Sequence, residues 1–316
     1  MQKPASPLVS IIIPCYKAEK ELPQALDSIS KQTYTNWEII AVNDCWEDET
    51  EQIIASFKTH HSDRNVTFIR HSKNQGLGAT RNTGMQAARG ELIAFLDHDD
   101  IWEPDHLLTG LTLINDNQAD IYYSSVIVFD HLGKKDDWVW GPTLEDLTNF
   151  PNSLFGRNYI QPSTAIIRVD FLNKLGPMDT DPNIHFCEDH DYWIRAANLS
   201  GKFVTSPKIT SRYRSSNPEA ATAKTVLMLK HDLTVQKKHL TSRMFDRDTK
   251  TQAISSNYRR LADHFWRDSH FKSLFYLTLC IYWHPKAWKN IYQLIKGTFY
   301  WPSIMRKFRV SNFFEN

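Results

Sequence analysis

Cysteine is scarce: only Cys15, Cys45, Cys187 and Cys280 occur in 316 residues, and no two form a Cys-x-x-Cys pair. That spacing argues against a disulfide scaffold and against a structural zinc site. No apolar run reaches the ~18 residues that an ordinary membrane-spanning helix needs. Met1 to Pro7 is polar and leads straight into a strand, so no signal peptide is expected. Neither sign of charge prevails, with 37 Lys+Arg against 36 Asp+Glu, so no general affinity for nucleic acid is implied. A reducing, cytoplasmic location is the resulting expectation. Two phosphate-loop signatures are missing as well. Gly76-Leu-Gly-Ala-Thr-Arg-Asn-Thr-Gly84 puts Arg81 where a dinucleotide loop requires glycine, and it follows the third strand, not the first. No Gly-Lys-Ser/Thr follows to make a Walker loop.

The most informative segment present is Glu91-Leu-Ile-Ala-Phe-Leu-Asp-His-Asp-Asp100. Its apolar run, Leu92 to Leu96, has strand length and ends in three carboxylates, Asp97, Asp99 and Asp100. Open α/β sheets bind ligands beyond the carboxyl ends of their strands. Clustered acids repel one another unless a cation sits among them. Mg²⁺ or Mn²⁺ suits oxygen ligands and completes its shell with substrate phosphates. One Asp would suffice to cap the helix expected near Pro104 to Asn115; three exceed that need.

Strand and helix alternate through the first hundred residues. Strands are expected at Leu8–Ile13, Trp37–Val42, Val66–Arg70 and Leu92–Leu96, with helices at Glu19–Lys31, Thr50–Lys58 and Gly78–Ala88. Repeated units of this kind predict an α/β fold with a mostly parallel wound sheet, whose edge carries Pro14, Asp44 and Asp97 together. Beyond it, Ile121–Phe129, Ser163–Arg168 and Ile209–Arg214 read as strands, with a turn near Leu132-Gly133. Asp170–Leu175 and Glu188–Leu199 read as helices, the second followed by Gly201. From Pro218 the chain is helical, at Glu219–Leu240 and Thr251–Ser269. The expected division is a catalytic domain over 1–215 and a C-terminal helical region over 216–316.

Arg81 offers a cationic fork for a phosphate or a base edge. Glu188 and Asp189 open a helix, where acids complement the dipole, but a carboxylate there could also take a proton from an attacking hydroxyl. His185 and His190 flank the pair and read as structural, and His60-His61 as a solvated turn.

Taken in order, these motifs resemble the inverting family 2 glycosyltransferases of GT-A fold, over roughly residues 8 to 215. Val9-Ser-Ile-Ile-Ile-Pro-Cys-Tyr16 is similar to the family's opening strand and Pro-x-Tyr element. Leu26 to Tyr34, with Ser28, Gln32 and Tyr34, resembles its first helix and turn. Glu38 to Asp44 looks like the second strand with its uracil-contacting acid, and Asn74 to Gly84, with Arg81 and Asn82, like the Asn-x-Gly…Ala-Arg-Asn-x-Gly stretch. Asp97-His98-Asp99 is similar to the Asp-x-Asp motif, Cys187-Glu188-Asp189 with Asp191 and Trp193 to the Glu-Asp helix, and Tyr213-Arg214 to the late Tyr-Arg. The resemblance implies that Pro14, Tyr16, Asp44, Arg81, Asp97 and His98 hold a nucleotide-sugar, most simply a UDP-sugar. It implies that Asp99 binds Mn²⁺ or Mg²⁺ and that Asp189 is the general base, with Glu188, Asp191 and Arg214 as secondary candidates. The metal would stabilise the departing diphosphate while the base sharpens the attacking hydroxyl.

One departure stands out: after Asp44 the family's Gly-Ser-x-Asp-x-Thr is here Cys45-Trp46-Glu47-Asp48-Glu49-Thr50. The processive members' Gln-x-x-Arg-Trp is missing, so one sugar transferred per visit is expected. A sugar nucleotidyltransferase would want a Gly-rich loop after the first strand, where Pro14-Cys-Tyr-Lys-Ala18 stands. A non-catalytic nucleotide- or carbohydrate-binding relative is the other alternative, and the presence of Asp44, Asp99 and Asp189 together speaks against it.

Ser269 to Phe314 contains no Asp or Glu, yet carries seven Lys/Arg among many aromatics. Lys286, Lys289 and Lys296 fall on neighbouring turns of an expected helix, with Trp288, Tyr292 and Ile295 as its apolar stripe. Basic and aromatic residues together favour a membrane–water interface. The expectation is peripheral attachment to an anionic inner leaflet, bringing the site to a saccharide or lipid-linked acceptor of cell-surface polysaccharide assembly. The alternative is that these aromatics pack back onto the catalytic domain.

Overall fold

The computed structural model describes residues 6–129, 136–215, 218–266 and 269–287. The chain divides into two compact units, Met1–Asp246 and Arg247–Asn316.

The first unit is built on a nine-stranded sheet. Three βα steps and a fourth strand begin it: β1 (Val9–Cys15), α1 (Leu22–Ser30), β2 (Trp37–Asn43), α2 (Thr50–His60), β3 (Val66–Arg70), α3 (Leu77–Ala87) and β4 (Leu92–Phe95). β1 pairs in parallel with β2 on one side and β4 on the other, and β2 pairs in parallel with β3. Every residue of β1, β2 and β4 is buried, as near-continuous apolar strands covered on both faces should be. Burying Ile11, Ile12 and Ile13 completely contributes about 1.5–3 kcal/mol each. α1 turns Leu22, Ala25, Leu26 and Ile29 inward at helical spacing. α3 lies close against β1: a Cβ on Gly84 would stand 2.4 Å from Ile12 Cγ2.

The remaining elements are β5 (Ile101–Trp102), α4 (His106–Asn117), β6 (Ile121–Phe129), β7 (Asp136–Trp140), α5 (Leu144–Thr148), α6 (Asn152–Gly156), β8 (Ile166–Arg168), α7 (Val169–Leu175), α8 (Glu188–Asn198), β9 (Phe203–Arg214) and α9 (Pro218–Lys238). The strand order is β3-β2-β1-β4-β8-β6-β9-β5, with β7 pairing on β6. β8 runs antiparallel to β4 and β6, while β9 runs parallel to β6 and antiparallel to β5. The parallel sheet expected from the sequence is thus its first half, and the second half is mixed.

The first four strands and three helices lie within about three residues of their expected bounds, a scatter normal for element ends. β5, β7, α5 and α6 were not expected. β9 begins at Phe203, six residues before the expected start, because β6 supplies a pairing partner for the polar Thr205 and Ser206. The expected domain boundary after residue 215 also differs from the observed one after Asp246. α9 belongs to the first unit because it is tied to α8: His190 Nδ1 lies 2.6 Å from Asp232 Oδ1, and Lys238 Nζ and His239 Nε2 lie 2.7 and 2.8 Å from Asp191 Oδ1.

In the second unit α10 (Arg247–Phe265) and α11 (His270–Trp283) form a hairpin. Ser255 and Ser273 donate across it to the carbonyls of Cys280 and Ala262, at 2.9 and 2.8 Å. Phe271, Leu274, Phe275 and Tyr282 of α11 are exposed. Among the described residues no helix is long and apolar enough to cross a membrane. The Leu132-Gly133 turn and the stretch containing Trp288, Lys289, Tyr292, Ile295 and Lys296 lie outside the described residues.

Candidate active site

The chain steps outward from β1 through β2 to β3 and then returns to β4 on the other side of β1. The carboxyl ends of β1 and β4 therefore form a switch point, where open α/β sheets leave a crevice for ligands. Pro14 and Tyr16 stand at the end of β1, and Asp97, His98 and Asp99 just past β4. His98 Nδ1 lies 3.1 Å from the Pro14 carbonyl and ties the two ends together.

Asp44 follows β2 and is buried. Its Oδ1 accepts from Gln75 N and its Oδ2 from Gly76 N, both at 2.8 Å. Gly76 holds φ +88°, a conformation that favours glycine, as it leads into α3. His71 Nδ1 adds a 2.7 Å contact to Oδ1, and His71 Nε2 meets Thr83 Oγ1 at 2.8 Å. Asp44 thus locks the loop after β3 to the loop after β2. His71 was missed at the sequence level, although its place directly after a parallel strand put it on the same edge.

The three acids after β4 have separate fates. Asp97, His98 and Asp99 are half-buried, whereas Asp100 is buried. Asp100 Oδ1 accepts from Arg214 N at 2.9 Å, while its Oδ2 has no hydrogen-bond partner among the described residues. Burial, then the charges of Asp99 and Asp97, push the Asp100 carboxyl well above the usual range. Asp99 is also raised, by burial first and then by Asp97, against the lowering influence of His98 and Arg214. Mutually repelling carboxylates of hard oxygen are the donor chemistry that fits Mg²⁺ or Mn²⁺. Among the described residues no three His, Cys, Asp or Glu side chains converge on one point.

Two expected cations lie behind this crevice. Arg81, read as a phosphate contact, is only 1% exposed. It donates to Asp97 Oδ1 at 2.8 Å and Glu188 Oε1 at 3.0 Å, bridging the two acid motifs from below. Arg214 is likewise buried, donating from Nε to the Asp99 carbonyl at 2.9 Å and from an amino group to Gln24 Oε1 at 2.8 Å. Both position the acids.

The α8 acids also divide. Asp191 is fully buried and accepts from Arg195, Lys238 and His239. Burial alone would raise its pKa, but hydrogen bonds from His239 and Lys238 and the charge of Arg195 hold it well below the usual carboxylate range. That arrangement is a structural junction, whose three donors favour the ionised form of Asp191 and make it a weak proton acceptor. Asp189 Oδ2 accepts from Asn158 Nδ2 at 2.9 Å and its Oδ1 from His190 N at 2.8 Å. Burial raises its pKa, while Arg81, Asn158 and His190 oppose the rise. Glu188, beside it, is pushed up to about 7, first by burial, with Arg81 lowering it and Asp189 raising it. His190 meets acceptors at both ring nitrogens, Asp232 and the Leu154 carbonyl, and so carries two protons. Burial opposes that charge, yet Asp232 holds its pKa above the ordinary value. Asn158 lies in a polar stretch with no local signature, and no pattern in the sequence marked it.

A family model described as glycosyl transferase family 2 matches residues 10–176. An uncharacterized glycosyltransferase of Rickettsia typhi is 31% identical over 209 residues, covering 64% of this chain and 62% of that protein. The Escherichia coli UDP-Glc:alpha-D-GlcNAc-diphosphoundecaprenol beta-1,3-glucosyltransferase WfgD is 33% identical over 124 residues, 39% of this chain and 47% of that one. The chain thus spans less than two thirds of the length of these relatives. Among solved structures, Staphylococcus aureus TarS 1–349 in complex with UDP-GlcNAc superposes with a TM-score of 0.65 at 18% identity, covering 86% of this chain and 79% of that one. The mannosyltransferase PcManGT of Pyrobaculum calidifontis, in complex with GDP-Man and Mn²⁺, gives 0.58 at 17% identity, with coverages of 92% and 88%. These structural likenesses establish the GT-A fold. With more than half of its length, from the first strand to the end of α7, matched by the family model, the chain belongs to glycosyl transferase family 2.

Proposed function

We propose that the protein is a nonprocessive, metal-dependent inverting glycosyltransferase that moves one sugar from a UDP-sugar to an acceptor hydroxyl. The observation that carries the reading is the joining of Asp97 and Glu188 by one buried Arg81, which sets the donor-side acids and the base-bearing start of α8 around one crevice. In this reading Pro14, Tyr16, Asp44, Asp97 and His98 border the donor nucleotide. Asp99 holds Mg²⁺ or Mn²⁺, which when bound supplies positive charge against the leaving diphosphate. Asp189 takes the acceptor's proton. Arg81 orients Asp97 and Glu188 from behind, and Asn158 fixes the rotamer of Asp189. Isothermal titration should give UDP binding that strengthens with Mn²⁺. No heat with UDP or GDP, with or without the ion, would overturn the donor reading.

The acceptor we propose is a lipid-linked saccharide reached from an anionic membrane surface. The E. coli relative is named for such an acceptor. Residues 247–316 hold twelve Lys/Arg and four Asp/Glu, against 37 and 36 in the chain as a whole. The exposed Phe271, Leu274, Phe275 and Tyr282 add apolar side chains of the kind that enter a headgroup region. In liposome flotation the intact chain should rise with anionic vesicles at low salt and be released by high salt. A chain that stays at the bottom of the gradient with every lipid mixture would point to a soluble acceptor.

A further inference from the structure

We propose that Trp46 forms, with Tyr16, the wall against which the donor's nucleobase stacks; this rests on the donor reading above. Cys45 and Trp46 stand where the resemblance drawn from the sequence would place glycine and serine after Asp44, and Trp46 is the aromatic of the two. Cys15 at the end of β1 pairs in register with Asn43 at the end of β2, so Tyr16 and Trp46 leave neighbouring strands on the ligand-bearing edge. Neither ring is needed by the core: Tyr16 is 41% exposed and Trp46 37%. Yet both are held. The Trp46 backbone N–H donates to Asn43 Oδ1, and Asn43 Nδ2 donates back to the Trp46 carbonyl, both at 2.9 Å. Cys45 between them takes φ +57°, and Lys17 after Tyr16 takes φ +56°. Non-glycine residues in the left-handed region are uncommon, and a pair of them flanking one edge marks loops set by their surroundings.

The rings meet edge to face, with centroids 5.1 Å apart and planes at 62°. The Lys17 ammonium stands 4.4 Å from the Trp46 ring centre and 5.5 Å from that of Tyr16. An indole held out of the core, beside Asp44 and under a cation, matches a flat heteroaromatic ring that carries anionic phosphates. Stacking on an aromatic side chain tolerates any base and is worth about 5- to 150-fold in affinity. The wall therefore supplies affinity, and base selection falls to hydrogen-bonding groups around it. A base that stacks here takes the indole face that Lys17 now covers.

The test compares UMP and UDP on the wild type, Trp46→Phe, Trp46→Leu and Trp46→Ala, by titration and ligand-observed NMR, with and without Mn²⁺. GMP and GDP replace them if the wild type prefers guanine nucleotides. Trp46→Ala and Trp46→Leu should weaken UMP and UDP by a common factor of about 5- to 150-fold, unaffected by the ion, while Trp46→Phe stays near wild type. Trp46→Leu keeps apolar bulk without a ring face, so its circular dichroism and melting curve guard against a folding defect. Unchanged binding by both the Leu and Ala variants would overturn the proposal, as would a loss confined to UDP, which would place Trp46 against the diphosphate. A wild type that binds none of these nucleotides defeats the donor reading itself. A wild type that binds UDP beside equally tight Trp46 variants defeats the wall alone.

Discussion

Asp189→Asn should lower sugar transfer by about 10²–10⁴-fold, the usual worth of general-base help. The substitution keeps the side chain's shape. The hydrogen bond from His190 N and the contact with Asn158 can both persist after an amide flip, so the start of α8 should stay in place. What disappears is the capacity to accept a proton from the acceptor hydroxyl. UDP affinity should remain within about 2-fold, since general-base help acts on the acceptor and contributes nothing to holding the donor. The wild-type rate should also fall as pH drops through the Asp189 pKa, which burial raises, because only the ionised carboxylate can act as base. That acid limb should vanish in the variant. Initial rates of transfer across pH, alongside titration with UDP, decide the matter. If Asp189→Asn transfers sugar normally, Glu188 becomes the candidate base. Asp191 stands behind it, because three donors hold its ionised form and weaken it as a base.

Asp99→Ala should reduce turnover by about 100-fold or more if the ion supplies several kcal/mol of charge stabilisation. Unlike Asp189→Asn, it should also erase the strengthening of UDP binding by Mn²⁺. Its neighbours do not substitute. Asp97 is engaged by Arg81, and Asp100 is buried and bonded to the backbone of the Arg214 strand. Removing Asp99 also relieves repulsion on Asp100, so the fold should be unharmed or slightly stabilised. Chelation of the wild type should reproduce the variant's rate. Full turnover by dialysed wild type in excess EDTA would exclude the ion from the reaction.

The two halves of the sheet differed in how far the sequence revealed them, for a physical reason. β1, β2 and β4 are short apolar runs closed by Pro14, Asn43-Asp44 and Asp97, and every residue of these strands is buried. Their pattern is therefore local. β5 is two residues long, and β9 includes Thr205, Ser206, Pro207 and Lys208; both depend on partners more than a hundred or about eighty residues away. The acids of the site were legible because clustered carboxylates at strand ends are costly and so informative. Their partners were not. Arg81 looked like a ligand contact from its type, but only the approach of Glu188 from α8 turns it into a buried bridge. His71 acts through contacts to Asp44 and Thr83 and Asn158 through one to Asp189, and no spacing encodes them.

The Arg81 bridge also bears on the order in which the molecule comes together. Its two halves join residues 16 and 107 positions apart, and Arg214 reaches back 115 positions to Asp99 and 190 to Gln24. Closing a loop costs entropy that grows with the logarithm of its length, and long-range contacts return nothing until they form. The β1–β4 half can gather through short crossovers, but its acid edge stays without its clamp until α8 and the end of β9 arrive. The crevice is thus completed by the slowest class of contact in the chain, and a nascent polypeptide that has emerged only as far as β8 carries the donor-side acids and Arg81 without Glu188 and Arg214, which complete the clamp.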